Sequence, residues 1–354
     1  MYWGAWAASL PAIQRNTGAS DAQLGLGLLC VAVASLPAML AAGRLADLFG
    51  ARLVPVGMAT FGVATFFPGL AHSVPQLYAA LAFVGIGTGL FDVAINAQAA
   101  TIEARHDVRV MDGLHAAFSI GVLCGGIGAG LLRRVGVHPS WILGGVSCLV
   151  LLCMLFNLAP GTRTERSGRR ARIARPLFVV GAVLAVAFLV ESGLEGWSAL
   201  FLERTLGTGP AISGLGPGLF AAAMATGRLL AQKVEGPSVA ARMLFAGVAA
   251  AIGLVVAATA QQPAVALAGF VIAGAGLALS APTLLGLAGR VGGEGSRGSA
   301  VSTVATLGYL GFLVGPPLIG AVSSASSLRG GFVFLCAMAV VLAVCAPLLR
   351  ESPG

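Results

Sequence analysis

Charged side chains are scarce in this sequence. Asp, Glu, Lys and Arg make up 10% of its 354 residues, whereas an average soluble domain contains about 25%. Hydrophobic residues make up 57%, so a soluble globule of this size could not cover its surface with polar side chains. The formal net charge is +8, but the basic residues lie in short interruptions between apolar runs and form no continuous basic face for nucleic acid. The composition indicates a protein embedded in a lipid bilayer, without a nucleic-acid partner.

Motifs of enzyme chemistry are missing as well. The six cysteines form no CxxC pair, and no histidine stands at metal-ligand spacing. The sequence has no Walker loop and no HExxH or GxSxG motif, so an ATP-driven pump or a membrane hydrolase would have no residues to work with. We therefore expect no enzyme, no metal site and no cofactor.

Long apolar runs dominate what is present. A bilayer core about 30 Å thick needs about 20 apolar residues in a helix, and eleven such runs occur. They lie at 22–43, 53–71, 76–101, 114–132, 139–159, 176–198, 211–233, 240–260, 264–289, 299–321 and 330–349. Residues 1–13 are apolar over about half a span, which we interpret as the outer half of a first helix whose beginning is missing. The sequence predicts an all-α polytopic membrane protein with twelve transmembrane helices, the first one N-terminally truncated.

Basic residues orient the chain across the membrane. Sixteen of the 21 fall on one side of the predicted spans, which the positive-inside rule assigns to the cytoplasm. The five on the outer side are Arg15, Arg133, Arg134, Arg204 and Arg329. The longest basic stretch, 161–175, is predicted to be a cytoplasmic linker between an N-terminal six-helix bundle (1–160) and a C-terminal six-helix bundle (176–354). Frequent Ala, Gly and Arg indicate a GC-rich genome, and hence a bacterial inner membrane.

The two predicted bundles share landmarks in the same order. The segment that begins at Trp6 resembles the one at Trp197, and Gly43-Arg44-Leu45 resembles Gly227-Arg228-Leu229. The offsets run from 184 to 191 residues. Six helices return the chain to its starting side, so we expect the second bundle to repeat the first in parallel orientation.

The loop after the second predicted helix carries a family resemblance. It reads Gly43-Arg44-Leu45-Ala46-Asp47-Leu48-Phe49-Gly50-Ala51-Arg52 and resembles the signature loop of the major facilitator superfamily (MFS). The resemblance implies a transporter with a cytoplasmic gating loop. We expect Gly43 and Gly50 to permit close helix approach and a tight turn, and Asp47 to accept hydrogen bonds from Arg52 and from helix N-termini.

Further motifs narrow the resemblance within the family. The stretches 89–96, 114–121 and 191–198 are similar to those of a little-characterised bacterial inner-membrane branch near the sugar (fucose-type) permeases. The stretch 121–126 lacks the Gly-Pro found in the family's drug/proton antiporters. The resemblance therefore favours a permease for a sugar or a related metabolite over a multidrug exporter.

Three acidic residues fall within predicted spans: Asp92, Glu191 and Glu195. A charged side chain in the membrane costs at least about 2.5 to 3.5 kcal/mol on insertion scales, so it normally faces a cavity or a partner. Asp92 and Asn96 share one face of the fourth helix, where we expect substrate contact, protonation or a buried structural hydrogen bond to helix 5. Glu191 and Glu195 share a face of the seventh helix, and Glu191 is the better candidate for proton coupling unless a basic residue pairs with it.

Three further candidate residues have two possible roles each. His115, at the cytoplasmic end of the fifth helix, suits a proton relay or a hydrogen bond at the helix end. Trp6 and Trp197 occupy matching positions near the outer ends of the first and seventh helices. There, tryptophan can anchor the helix at the membrane interface or stack on a sugar-like substrate.

These observations predict a secondary active transporter of a small polar solute that works by alternating access. We expect a monomer that imports its solute as a symporter, with protons coupled through Asp92 or Glu191. Two alternatives remain: a drug or metabolite exporter, and a non-transporting membrane sensor or scaffold on the same fold.

Overall fold

The computed structural model describes residues 1–106, 110–156, 175–231, 236–292 and 297–349. Regular structure in these ranges is helical, as expected for a chain in lipid, where backbone amides must find partners within their own segment. Fourteen α-helices are present in this part of the chain: α1 (Tyr2–Thr17), α2 (Asp21–Phe49), α3 (Leu53–Ala64), α4 (Val74–His106), α5 (Val110–Arg134), α6 (Pro139–Leu155), α7 (Arg175–Leu200), α8 (Pro210–Ser213), α9 (Leu215–Ala231), α10 (Val239–Thr259), α11 (Pro263–Leu277), α12 (Ser280–Gly292), α13 (Arg297–Ala325) and α14 (Leu328–Cys345).

Nine segments of the described chain are long and apolar enough to cross a bilayer. Three shorter helices lie at the remaining predicted positions: the apolar α6 with 17 residues, α1 with 16 and α9 with 17. These twelve segments match the twelve predicted spans, with α11 and α12 as the two parts of one span at 263–292. The prediction of an all-α polytopic membrane protein is confirmed.

The seventh span is longer than predicted. After Leu200 the chain continues in a π-helical turn, Phe201–Thr205, and the whole apolar segment runs from Pro176 to Thr205. Glu203 and Arg204, which the sequence assigned to a loop, therefore lie at the end of a membrane helix.

Helix contacts fall into two sets joined at a few places. In the first set α4 packs against α2 and α3, and α1 packs against α5. In the second set α7 packs against α13, and α10 packs against α11 and α14. The sets meet chiefly where α2 contacts α13 and where α5 contacts α8 and α9. The predicted linker, 161–175, lies almost entirely outside the described residues, so the two-bundle boundary stays a prediction.

Hydrophobic side chains fill the interior and also cover much of the outside. Trp6, Trp197 and Phe201 are fully buried, whereas Leu40 and Val344 are 76% and 70% exposed. In water such exposure would be costly, but in a bilayer lipid chains cover it. The pattern agrees with a multi-pass membrane protein.

Candidate functional site

Four charged side chains and one tyrosine lie near one another in the middle of the crossing helices. They are Asp92 on α4, Glu191 and Glu195 on α7, Arg228 on α9, and Tyr309 on α13. Tyr309 is within electrostatic reach of both Asp92 and Glu191. We name these five residues the central polar cluster. Its residues come from α4 of the first set and from three helices of the second set.

Glu191 has a basic partner. Its Oε1 lies 3.5 Å from Nη2 of Arg228, and the side chains are 18% and 30% exposed. The sequence placed Arg228 in a cytoplasmic connection, but the structure places it within α9. This contact favours the alternative of a structural acid paired with a basic residue for Glu191, and Arg228 offsets part of the cost of holding the carboxylate in the membrane.

Glu195 and Asp92 differ from Glu191 in this respect. Among the described residues, neither carboxylate forms an ion pair. Glu195 is half-buried one turn from Glu191 and is within electrostatic reach of Glu191, Arg228 and the amino group of Met1. Arg228 thus faces two carboxylates, Glu191 and Glu195. With Asp92 included, the central polar cluster holds three acids and one base, so it carries surplus negative charge when all its groups are ionised.

Helix packing shows which face of α4 carries Asp92. Gly85 and Gly89 of α4 lie against the α2 backbone, and a Cβ at Gly89 would come within 2.5 Å of the Ser35 carbonyl oxygen. Asp92 and Asn96 continue the same helical stripe at spacings of three and four residues. The Asn96 amide donates to the backbone carbonyl of Asp92 at 2.8 Å. This bond is internal to α4 and does not involve the Asp92 carboxylate.

Aromatic rings lie beside the central polar cluster. Phe188 is 5.9 Å from Tyr309 and 4.7 Å from Phe312, measured between ring centroids. Tyr309 is 47% exposed, so part of its surface is free to touch a solute. Rings and charged groups together give this region both apolar contact and hydrogen-bonding capacity.

Trp6 and Trp197 are buried among the helices and do not face the surroundings of the protein. They are 2% and 0% exposed, and Trp6 stacks on Tyr2 with the ring centroids 6.5 Å apart. The anchoring interpretation is therefore wrong for both residues. Trp141, which is 77% exposed near the start of α6, has the position that the interfacial role requires. Contact of Trp6 or Trp197 with substrate stays a prediction.

The gating loop shows one of its two expected glycine roles. Gly50 has φ of 57°, a conformation that glycine adopts readily, and it turns the chain from α2 into the 3-10 turn Gly50–Arg52. At Gly43 a Cβ would meet no described atom within 4 Å, so close helix approach does not explain this glycine. Arg52 is exposed. The side chains of Asp47 and His115 lie outside the described residues, and their roles stay predictions.

Sequence reasoning missed an ionic network at the outer face, the face assigned to the outside by the charge asymmetry. The carboxylate of Glu203 accepts two bonds from Arg133, both at 2.9 Å, and one from Arg15 at 2.7 Å. The Ser213 hydroxyl also donates to Glu203, at 3.1 Å. Arg133 is only 3% exposed and additionally donates to the carbonyl of Ala8 at 2.6 Å.

A second ion pair lies beside the first. Here the end of α7 supplies the base and the first helix set supplies the acid. Arg204, the residue after Glu203, binds the carboxylate of Asp21 at the start of α2. Gln14 connects these partners, since its Oε1 accepts from Arg204 at 3.1 Å and its Nε2 donates to Asp21 at 2.7 Å. Each pair joins the first helix set to the end of α7.

One sequence signal could have revealed these residues. The positive-inside rule disfavours arginine on the outer face, so an outer arginine indicates a specific partner. Four of the five outer arginines have one among the described residues. Arg15 and Arg133 bind Glu203, and Arg204 binds Asp21. Arg329 donates to the carbonyls of Ala258 and Ala260.

Close backbone contacts accompany the outer network. A Cβ at Gly126 of α5 would lie 2.8 Å from the carbonyl oxygen of Gly214, and one at Gly25 of α2 would lie 2.5 Å from that of Pro316. At Gly113, near the inner end of α5, a Cβ would meet no described atom within 4 Å. The outer ends of α2 and α5 are thus tightly packed across the two sets.

Comparison with known proteins agrees with this architecture. A model of the Major Facilitator Superfamily matches residues 1–312. The chain belongs to this family and is a transporter, not an enzyme, which confirms the resemblance seen in its signature loop.

Individual relatives cover nearly the whole chain. It is 31% identical to an "Uncharacterized MFS-type transporter" of Yersinia pestis, over 97% of this chain and 90% of the relative. Among solved structures, an inward-facing bacterial homologue of the human lysosomal transporter Spinster matches with a TM-score of 0.77 and 18% identity, over 100% of this chain and 95% of the other. The nucleoside transporter NupG matches with a TM-score of 0.76 and 11% identity, over 99% and 96%.

Proposed function

We propose that this transporter carries a small polar solute, such as a sugar or a related metabolite, by alternating access with proton coupling. The observation that carries the proposal is the central polar cluster. It draws ionisable side chains from both helix sets to the middle of the membrane, where such groups are costly unless they have a use. The resemblance to sugar permeases and the similarity to a nucleoside transporter support a polar solute.

The pairing within the cluster changes which carboxylate we assign to the proton. Glu191 already has a cationic partner in Arg228. Asp92 and Glu195 form no ion pair with a described residue. A carboxylate that is removed from water and forms no direct ion pair favours its neutral form more than a paired one does, so these two side chains are better suited to load and release a proton. We propose Asp92 and Glu195 as the proton sites and Arg228 with Glu191 as groups that orient the solute.

We also propose a direction and a setting for the transport. We propose that the protein works as a monomeric symporter in a bacterial inner membrane, importing its solute. In the structure the outer face is sealed by ion pairs and close backbone contacts. This arrangement supports a state in which the central polar cluster is reached from the inner side.

A thermal-stability screen in detergent tests the proposal. Wild type, Asp92→Asn and Glu195→Gln are heated with sugars, sugar acids, nucleosides, amino acids and common drugs at two pH values. We expect a polar metabolite to raise the Tm of wild type and to raise that of each variant less. Arg134→Gln is the matched control, because Arg134 is exposed at the outer face, and it should respond as wild type does.

Transport of the selected solute into proteoliposomes completes the test. Wild type should accumulate the solute when a pH gradient is imposed, whereas Asp92→Asn should exchange it without accumulation. If the solute raises the Tm of both variants as much as that of wild type, the proton sites do not lie in the central polar cluster. Stabilisation by drugs alone would instead favour the exporter alternative.

A further inference from the structure

We propose that the π turn at the end of α7 is the mobile half of an ionic latch that closes the outer face. The latch consists of Glu203 with Arg15 and Arg133, and of Arg204 with Asp21. Its use as a latch rests on the proposed alternating access, because only then must the two helix sets separate at this face.

The π turn is what presents the two charges. In the turn Phe201–Thr205 the hydrogen bonds span five residues instead of four, a rare geometry that recurs at functional sites. Consecutive residues of this turn reach different partners, Glu203 toward α5 and Arg204 toward the start of α2. An acid and a base that are neighbours in sequence thus bind a base and an acid across the interface.

The ion pairs of the latch connect the two helix sets. Arg15, Asp21 and Arg133 belong to α1, α2 and α5, whereas Glu203 and Arg204 extend α7. Every ion pair of the outer network described here crosses between the two helix sets. Separation of the sets at the outer face must therefore break all of them together.

Burial shows how the latch could be firm and still reversible. The Arg133 side chain is 3% exposed and donates two parallel hydrogen bonds to the Glu203 carboxylate, the strongest geometry for this pair. Arg15 and Arg204 are 60% and 42% exposed. When the outer face opens, water replaces the lost partners, because these groups lie at the rim and not in lipid.

Distance measurements between spin labels test the latch. Labels are attached through non-canonical amino acids at Val135 on the first helix set and Ala325 on the second, both exposed at outer helix ends, which leaves the six cysteines in place. We expect Glu203→Gln and Arg133→Gln to increase the fraction of protein with a long outer distance about tenfold, as loss of a charge-assisted bidentate bond would. Arg134→Gln, the adjacent exposed arginine, should leave the wild-type distances unchanged.

A charge exchange separates the latch from a general loss of stability. Asp21→Arg alone should open the outer face, and the double variant Asp21→Arg with Arg204→Asp should close it again, since Gln14 can donate to or accept from either partner. Outer distances that stay at the wild-type value in all latch variants would overturn the proposal, as would failure of the double variant to restore them.

A second label pair distinguishes failure of the latch from failure of alternating access. Leu40 and Leu230, 76% and 58% exposed on α2 and α9, report on the inner face. If the Leu40–Leu230 distance responds to solute and pH while the latch variants change nothing, alternating access stands and the latch is wrong. If neither distance moves under any condition or in any variant, both proposals fail.

Discussion

Arg228 shows how much one side chain can change the interpretation of its neighbours. It stands in a stretch that repeats the signature loop, Gly227-Arg228-Leu229, and sequence position alone puts it at the cytoplasmic edge. In the structure its guanidinium meets Glu191 across α7 and α9. The carboxylate that sequence position favours as the proton carrier is thereby paired with a cation, which is why we propose Asp92 and Glu195 for that role.

A double-mutant cycle tests this pair. Because Glu191 and Arg228 are partly buried, removal of one partner leaves a charge that the other no longer compensates. We expect Arg228→Gln or Glu191→Gln alone to destabilise the protein by about 1 to 3 kcal/mol, less than the roughly 3 to 5 of a fully buried pair. The double variant should lose less than the sum of the two, as Tm in detergent will show. Strictly additive losses would mean that the two groups do not interact.

The helices themselves could be predicted well from hydropathy, whereas their ends and contacts could not. An apolar run of about 20 residues has few alternatives to a crossing helix. The seventh run carries charges at Glu203 and Arg204, so hydropathy ends it at 198, while the structure continues it as a π turn to Thr205. Nothing in a single sequence states that the charges of this turn find partners on α1, α2 and α5.

The same limit applies to the central polar cluster. Sequence alone identified Asp92, Glu191 and Glu195, because an acid inside an apolar run stands out. The partner of Glu191 and the exposure of Tyr309 depend on which helices touch, as does the burial of Trp6 and Trp197. Contacts between distant segments leave no local pattern in the chain.

Two glycines of α5 give a matched test of the outer contact. A Cβ at Gly126 would lie 2.8 Å from the Gly214 carbonyl oxygen, whereas one at Gly128 would meet nothing within 4 Å. We expect Gly126→Ala to push α5 away from α9, raising the open fraction in the Val135–Ala325 distance measurement. Gly128→Ala should leave that distance unchanged and stabilise the helix by up to about 1 kcal/mol. Equal behaviour of the two variants would argue against a tight outer contact.

At the scale of the whole molecule, alternating access requires the outer face to open in every cycle. The backbone N–H of Ala22 at the start of α2 donates to the Ser324 hydroxyl at the end of α13, at 2.8 Å. These two positions therefore offer a site for a covalent lock between the helix sets.

We expect Ala22→Cys with Ser324→Cys to stop solute uptake under oxidising conditions and to recover it after reduction. Ala22→Cys alone, with the same six native cysteines, should transport under both conditions. Mass spectrometry of the cross-linked peptide establishes how much protein is locked. Full uptake by completely cross-linked protein would contradict movement at this face.

The position of the latch also determines how the transporter should respond to voltage. A unit charge that crosses the whole membrane gains or loses about 2.3 kcal/mol per 100 mV, but the latch charges stay at the rim and traverse little of the field. Glu203 and Arg204 move together with opposite signs, so their electrical work nearly cancels. Any dependence of transport on membrane potential should therefore come from protons and solute that pass Asp92 and Glu195, and not from opening of the outer face.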